Sequence, residues 1–271
     1  MHRISGAGIF VEDTGGPGQP VLFLHGLLFD GRMFDAQVVA LRDRYRCLTV
    51  DFPGQGRSEP AAHSYQLEQL YADVLQFIRR LNLGPVHLVG LSMGGFVSMR
   101  LAARNPDLVR SVTLINTGPG GHPRAKMPQH AVLAGAARVL GPGSPVVADG
   151  LERSLFGEPF RTDPASAETL ATWRRRWSEA DVRALIATLL ALMIRPGVEA
   201  ELPAVTADTL VISGQLDLEH PPTDGRRIAE RVTGSRTVEL PGVGHSAAIE
   251  NPDAVTSELR AFLAQVEYVR G

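Results

Sequence analysis

The chain has 271 residues, of which 44% are hydrophobic and 21% are charged, so a sizeable folded core is expected and global disorder is excluded. Its 27 Lys and Arg residues nearly balance 29 Asp and Glu residues, and the net charge of −2 offers no basic surface for nucleic acid or for an anionic membrane. The single cysteine, Cys47, excludes an internal disulfide and a zinc site built on several thiolates.

Targeting signals are not evident in the sequence. The longest apolar candidate, residues 184–194, is shorter than the roughly 18–20 residues of a membrane helix and is predicted to be a buried helix. Residues 1–6 lack a basic region followed by an apolar core, so we expect no signal peptide. A cytoplasmic location, without nucleic-acid or membrane partners, is therefore expected.

The first part of the chain alternates between predicted strands and helices. In chain order, the pattern predicts an edge strand at 8–12, a strand at 21–24, a helix at 34–41, a strand at 46–50, an amphipathic helix at 67–81, a strand at 86–90, a helix at 93–103 and a strand at 111–116. This alternation is typical of an α/β fold with a mainly parallel central sheet flanked by helices.

The alternation stops at residues 118–121 (GPGG) and resumes near residue 205. Between them we predict a helix at 131–140, a breaker at 141–145 and a long helical region at 165–194. The pattern then predicts a strand at 209–213, a helix at 225–232, a strand at 237–240 and a final helix at 252–266. The predicted organisation is a core formed by residues 1–118 and 205–271, with a helical insertion at residues 119–204.

The strongest local signal is GLSMG at residues 90–94, which matches G-x-S-x-G. It lies between a predicted strand and a predicted helix, where a serine can be presented on a strained turn. Ser92 is therefore the candidate nucleophile, and the alternative is an incidental serine in a glycine-rich turn.

A serine nucleophile needs a base that is itself oriented by an acid. His245 follows a predicted strand in the loop PGVGHS and is the candidate base. Asp217 follows another strand end and is the candidate acid, with Glu219 and Asp224 as weaker rivals. Asn116 also ends a strand, but an amide cannot serve as the acid.

Four sequence blocks, taken in order, carry a family resemblance. They are HGLL at 25–28, DFPGQGRS at 51–58, GLSMG at 90–94, and GQLD at 214–217 together with GH at 244–245. Over nearly its whole length the chain resembles the α/β-hydrolase superfamily, in which the order is nucleophile, acid, histidine. It is similar to small bacterial esterases and lactonases, including the 3-oxoadipate enol-lactonase group, and it also resembles haloperoxidase-type esterases and carbon–carbon bond hydrolases.

The resemblance implies further site residues. The backbone N–H groups of Leu27 and Met93 would form an oxyanion hole, and the helical insertion would cap the site. Pocket candidates are His25, Leu28, Trp173, Trp177 and Met193. For the two tryptophans, packing between insertion and core is an equally good interpretation. Residues 174–176 (RRR) are interpreted as a solvated face, with carboxylate binding by one of them as the alternative.

The expected activity is hydrolysis of a small carboxylic ester or lactone through an acyl-enzyme, with no metal or organic cofactor. By the same resemblance, Ser92 argues against the epoxide hydrolases and haloalkane dehalogenases of this fold, which use an aspartate at that position. A carbon–carbon bond hydrolase, an acyltransferase and a slowly hydrolysing ligand receptor stay open as alternatives. The sequence leaves the acyl group, the leaving group and the oligomeric state open.

Overall fold

Within the residues that the computed structural model describes, 2–4 and 8–270, the strands form one eight-stranded sheet. Its strand order is β1-β2-β4-β3-β5-β6-β7-β8. Every neighbouring pair from β4 to β8 is parallel. Strand β2 pairs antiparallel with both β1 and β4. The strands are β1 (His2–Ile4), β2 (Ile9–Asp13), β3 (Pro20–Leu24), β4 (Arg46–Asp51), β5 (Val86–Leu91), β6 (Val109–Ile115), β7 (Asp208–Gly214) and β8 (Arg236–Leu240).

Helices cover both faces of the sheet, as the alternating pattern predicts. They are α1 (Asp35–Leu41), α2 (Leu67–Arg80), α3 (Met93–Arg104), α4 (Met127–Leu140), α5 (Pro145–Leu155), α6 (Glu158–Thr162), α7 (Ala167–Glu179), α8 (Val182–Met193), α9 (Pro222–Ala229), α10 (Ala247–Glu250) and α11 (Pro252–Arg270). None of those in the described part of the chain is long and apolar enough to cross a membrane.

Two hydrophobic clusters lie on opposite faces of the sheet because strand side chains alternate in direction. On β3, Leu22 and Leu24 join the cluster beneath α2, α3 and α9, whereas Val21 and Phe23 join the cluster beneath α1 and α11. The predicted α/β fold with a mainly parallel sheet is confirmed.

One detail of the prediction is wrong, and another is refined. The strand predicted at the sheet edge is β2, and it is an inner strand because β1 pairs with its free side. The long helical region at 165–194 is two helices, since the chain turns at residues 180–181 and Asp181 caps the start of α8 through the N–H groups of Arg183 and Ala184.

Helices α5, α6 and α10 were not predicted. The sequence pattern predicts a helix breaker at 141–145, but Pro145 occupies the first turn of α5. Backbone N–H groups in the first turn have no partner within the helix, so a proline there costs no hydrogen bond. Helices α6 and α10 contain five and four residues, which is too short for a periodic pattern.

Helices are the regular secondary structure of the described segment between β6 and β7, which has no strand. Two tryptophans of this segment pack on the core. Trp173 and Trp177 are buried, and the Trp177 Nε1–H group donates a 2.8 Å hydrogen bond to the Leu28 carbonyl. The Trp173 ring meets Phe29 edge-on, with 4.8 Å between ring centroids. The insertion is thus attached to the loop that follows β3.

Replacing Trp177 tests this attachment. Trp177→Ala should lower the free energy of unfolding by about 3–5 kcal/mol because a large buried ring is lost. Trp177→Phe should lower it by about 1–3 kcal/mol because the Leu28 carbonyl loses its donor. Urea denaturation measures both, with Val132→Ala as an exposed control that should change stability by less than about 0.5 kcal/mol. If both Trp177 variants match this control, the attachment is unimportant.

Candidate active site

Ser92 occupies a strained turn between β5 and α3. Its φ of 52° and ψ of −112° lie in a region that non-glycine residues rarely adopt, at a cost of about 1–3 kcal/mol. The Ser92 N–H group donates to the Ile115 carbonyl at 3.0 Å, and the Ser92 carbonyl accepts from the Thr117 hydroxyl at 2.9 Å. The last residue of β6 and the loop that follows it therefore hold the turn, in the strand–turn–helix context that G-x-S-x-G predicts.

The glycines of the motif allow α3 to approach the sheet closely. A Cβ atom at Gly94 would lie 1.9 Å from the Leu24 carbonyl oxygen, and one at Gly90 would lie 2.5 Å from the Gly94 carbonyl oxygen. The Gly94 N–H group donates a 3.0 Å hydrogen bond to the His25 carbonyl. No side chain fits at either position without displacing backbone, so the spacing of the motif follows from steric contact.

His245 and Asp217 meet at the carboxyl ends of the strands. His245 Nδ1 lies 3.0 Å from both carboxylate oxygens of Asp217, and both residues are buried. The carboxylate also accepts hydrogen bonds from Asn116 Nδ2 at 2.8 Å and from the N–H groups of Glu219 and His220 at 2.8 and 2.9 Å. This donor set stabilises the ionised form of Asp217 and fixes its direction.

The pair shifts the pKa of each partner in favour of charge. Burial opposes ionisation of Asp217, but the charge and hydrogen bond of His245 outweigh it and hold the Asp217 pKa below its ordinary value. Burial likewise opposes protonation of His245, yet Asp217 raises the His245 pKa above its ordinary value. Stability from Asp217 is lost as pH falls through its lowered pKa, and stability from His245 is lost as pH rises through its raised pKa.

Ser92 and His245 line one cavity, together with Leu27 and Leu28. Most of the remaining lining is apolar and comes from the insertion: Leu133, Ala134, Ala137, Pro142, Leu151, Leu155, Val182, Leu185, Ile186, Leu189 and Leu192. Among the described residues, no hydrogen bond joins the Ser92 hydroxyl to His245. Proton transfer between them therefore requires a closer approach, of the kind that substrate binding produces at many catalytic sites.

Two backbone donors lie beside Ser92 without partners. Neither the Leu27 nor the Met93 N–H group donates a hydrogen bond within the described part of the chain. Met93 is the first residue of α3, where backbone N–H groups are unsatisfied and the helix dipole is positive. These are the properties that the predicted oxyanion hole needs.

Of the five predicted pocket residues, Leu28 lines the cavity and the other four do not. The two tryptophans lie in the packing between insertion and core, because their rings are buried against the loop after β3. Met193 faces a separate depression with Tyr65 and Met127, whereas its neighbour Leu192 faces the cavity. The pocket prediction for these three residues is corrected accordingly.

His25 is also absent from the cavity lining. It is fully buried, its Nδ1 lies 2.7 Å from the Gly26 carbonyl, and its Nε2 accepts a hydrogen bond from the Phe52 N–H group at 2.8 Å. Burial lowers the His25 pKa, which favours the neutral ring that these bonds require. His25 therefore shapes the loop that carries Leu27, and it does not line the cavity.

The arginines at 174–176 also lie outside the cavity. Arg174 pairs with Asp149 and Glu152, and Arg176 stacks 4.4 Å above the Trp173 ring. The carboxylate-binding alternative for this run therefore has no support from its position.

Several polar residues of the site were missed from the sequence. Asn116 cannot be an acid, but its amide donates a hydrogen bond to Asp217, the candidate acid, and fixes the direction of that carboxylate. Its position at a strand end was the available signal. His122, His130 and Arg195 line the cavity, and they had no strand-end context to identify them.

Comparison with known proteins agrees with this geometry. Residues 21–258 match the model of the alpha/beta hydrolase family, so the chain belongs to that family. An enol-lactonase from Burkholderia xenovorans LB400 superimposes with a TM-score of 0.86 at 30% identity, covering 97% of this chain and 99% of that one. A thermophilic esterase from Thermogutta terrifontis gives 0.85 at 30% identity, covering 95% and 93%.

Among curated proteins, Haloalkane dehalogenase 2 from Mycobacterium tuberculosis is 30% identical over 258 residues, which is 90% of this chain and 87% of that protein. The suspected group, with its esterases and enol-lactonase, is thus confirmed as the structural neighbourhood of this chain. The family and its neighbours support a hydrolase.

The raised pKa of His245 gives a direct test of the pair. Asp217→Asn removes the largest influence that raises it, leaving burial dominant, so the His245 pKa should fall below its ordinary value of 6.5. NMR titration of the imidazole signals measures this. Glu219→Gln is the matched control and should lower the His245 pKa less, since Glu219 contributes less. An unchanged pKa in Asp217→Asn would contradict the assignment.

Proposed function

We propose that the protein hydrolyses a small carboxylic ester or lactone through an acyl-enzyme formed on Ser92. One observation carries the proposal: the strained Ser92 turn and His245 line the same cavity, and Nδ1 of His245 contacts Asp217. The similarity to an esterase and to an enol-lactonase supports the same reaction class.

The proposed reaction follows from these positions. His245 takes the Ser92 proton on Nε2 while the Ser92 oxygen attacks the substrate carbonyl carbon. The resulting oxyanion accepts hydrogen bonds from the N–H groups of Leu27 and Met93, each worth about 3–4 kcal/mol in the transition state. His245 then donates its proton to the leaving oxygen, and water repeats the sequence on the acyl-enzyme.

Asp217 acts through His245 in this scheme. It accepts the Nδ1–H group, which leaves Nε2 as the basic nitrogen facing the cavity. Its charge raises the His245 pKa, so His245 is a stronger base, and it stabilises the imidazolium formed during attack. Asn116 keeps the carboxylate aligned by donating to its second oxygen.

We further propose that residues 119–204 form a cap that shapes the substrate pocket. Helices α4, α5 and α8 supply most of the apolar lining opposite Ser92. Such a surface favours a substrate with an apolar body.

Dehalogenase chemistry does not suit this site, although one relative carries that name. An alkyl-enzyme intermediate needs a carboxylate nucleophile, because water can attack the carbonyl carbon of the resulting ester. Ser92 would form an ether, which has no such carbon to attack.

The primary test is hydrolysis of p-nitrophenyl esters from acetate to decanoate, alongside small lactones. Turnover should show a chain-length optimum set by the apolar cavity and should disappear in Ser92→Ala, because the acyl group has no acceptor. A fluorophosphonate probe should label the native protein and not this variant. Labelling of Ser92 without any turnover would instead favour a carbon–carbon bond hydrolase, an acyltransferase or a receptor.

The base is tested separately. His245→Ala should lower kcat by about a thousandfold or more on the best ester of the panel, as removal of a triad member does in other serine hydrolases. His63→Ala is the control, since His63 is exposed and outside the cavity, and its kcat should stay at the native level. A loss of less than about tenfold in His245→Ala would mean that another group is the base.

A further inference from the structure

Arg195 is a buried cation in the cavity wall that lacks an anionic partner. It follows α8 and is only 7% exposed. Its Nη1 donates to the Leu192 carbonyl at 2.9 Å, its Nε is enclosed without a hydrogen-bond partner, and its Nη2 donates to no group in the described part of the chain. No carboxylate of the described residues lies within ion-pairing distance of this guanidinium. Buried charges of this kind normally have a counter-ion.

The guanidinium lies close to the Ser92 turn. Its central carbon is 4.0 Å from the centroid of the Phe96 ring. Phe96 belongs to the first turn of α3, where its N–H group donates to the Ser92 carbonyl at 3.1 Å. The Phe96 ring meets His220 with centroids 5.4 Å apart, and His220 lies 5.9 Å from the His245 ring. One small molecule in the cavity can therefore contact both Arg195 and Ser92.

The other charged groups near Arg195 have partners of their own. Glu219 accepts hydrogen bonds from His130 and Ser154 and lies 3.7 Å from Lys126 Nζ. Asp224 pairs with His220 at 2.8 Å and with Arg227 at 3.3 Å. The cavity thus contains one carboxylate that is satisfied and one guanidinium that is not.

The charge of Arg195 persists despite its surroundings. Burial and the neighbouring cation Arg100 lower the Arg195 pKa to about 10, and the weaker opposing influence of Asp224, which is not within ion-pairing distance, does not offset them. At this pKa the group is protonated at neutral pH. A charged group without a counter-ion in a mainly apolar wall is available for an anion that enters with the ligand.

We propose that Arg195 binds a free carboxylate of the substrate, so that the preferred substrate is the half-ester of a dicarboxylic acid. This rests on the proposed ester or lactone hydrolysis at Ser92. The apolar wall holds the carbon chain, while Nη1 and Nη2 hold the carboxylate at the Phe96 side of the cavity. Arg195 then determines specificity and takes no part in the proton transfers.

The test compares two esters that differ only in their terminal group, which is a carboxylate in one and an amide in the other. These are the p-nitrophenyl monoesters of a dicarboxylic acid and of the corresponding monoamide, made for the four-, five- and six-carbon acids. For the best chain length, the native protein should prefer the acid over the amide by about tenfold or more in kcat/KM, the range of a charge-assisted hydrogen bond. In Arg195→Met the ratio should fall to about one. Equal rates on both esters in the native protein would overturn the proposal.

Arg176→Met is the matched control. Arg176 also stacks on an aromatic ring in the insertion, but it lies outside the cavity, so this variant should keep the native ratio. Arg195→Lys retains a charge without the planar guanidinium and should give an intermediate ratio. If Arg195→Met loses its near-ultraviolet circular dichroism, the lysine variant and the native protein carry the test. The proposal would also be overturned if Arg195→Lys and folded Arg195→Met both kept the acid-to-amide ratio of the native protein.

A binding measurement separates this proposal from the proposed reaction. Calorimetry with Ser92→Ala should detect succinate, glutarate or adipate and should give at least tenfold weaker binding for the corresponding monoamides, with the difference lost when Arg195→Met is added. Arg195-dependent binding without hydrolysis of any ester would refute the reaction and leave the carboxylate site standing. Hydrolysis of neutral esters, with neither a preference for the acid nor binding of a dicarboxylate, would refute the carboxylate site and leave the proposed reaction standing.

Discussion

The contact between the start of α3 and the end of β3 is the constraint on which the site depends. Gly94 donates to the His25 carbonyl, and its α-carbon lies so close to Leu24 that a methyl group there would overlap the backbone. This approach leaves no room for a relaxed connection from β5 to α3, so Ser92 takes a positive φ. The same geometry places the unsatisfied Met93 N–H group next to the Ser92 side chain. The positions of the proposed nucleophile and of one proposed oxyanion donor therefore follow from one packing contact.

Burial of charge is the second theme of the site. Asp217 stays ionised in the interior because His245, Asn116 and two backbone N–H groups satisfy its oxygens. Glu219, two residues further on, is satisfied by groups of the insertion, Ser154 among them, so the loop after β7 links the core to the insertion. Arg195 departs from this pattern because it is buried without an anion. The two sites thus differ: Asp217, in the proposed reaction centre, has all its hydrogen-bond partners, whereas Arg195, in the proposed binding site, lacks an anion.

The sequence was informative wherever a local pattern has a single structural solution. Strand and helix alternation predicted the sheet, and G-x-S-x-G predicted the turn at Ser92, because few residues fit each requirement. The lining of the cavity could not be predicted, since it depends on how α4, α5 and α8 rotate against the core. Trp173 and Trp177 share a helix face that points to the core packing, and Met193 points away from the cavity although its neighbour Leu192 points into it. Arg195 gave no signal because its lack of a partner is a property of the folded chain.

The central claim is that Ser92 becomes covalently acylated during turnover, and intact-protein mass spectrometry of the quenched reaction tests it most directly. The native protein, acid-quenched within milliseconds of mixing with its best p-nitrophenyl ester, should show a mass increase equal to the acyl group, and fragmentation should place this group on Ser92. The increase should be absent in Ser92→Ala and should disappear as substrate is consumed. Two results would contradict the account. One is Ser92-dependent product formation with the acyl group found on another residue. The other is a burst of p-nitrophenol with no acyl group on the protein.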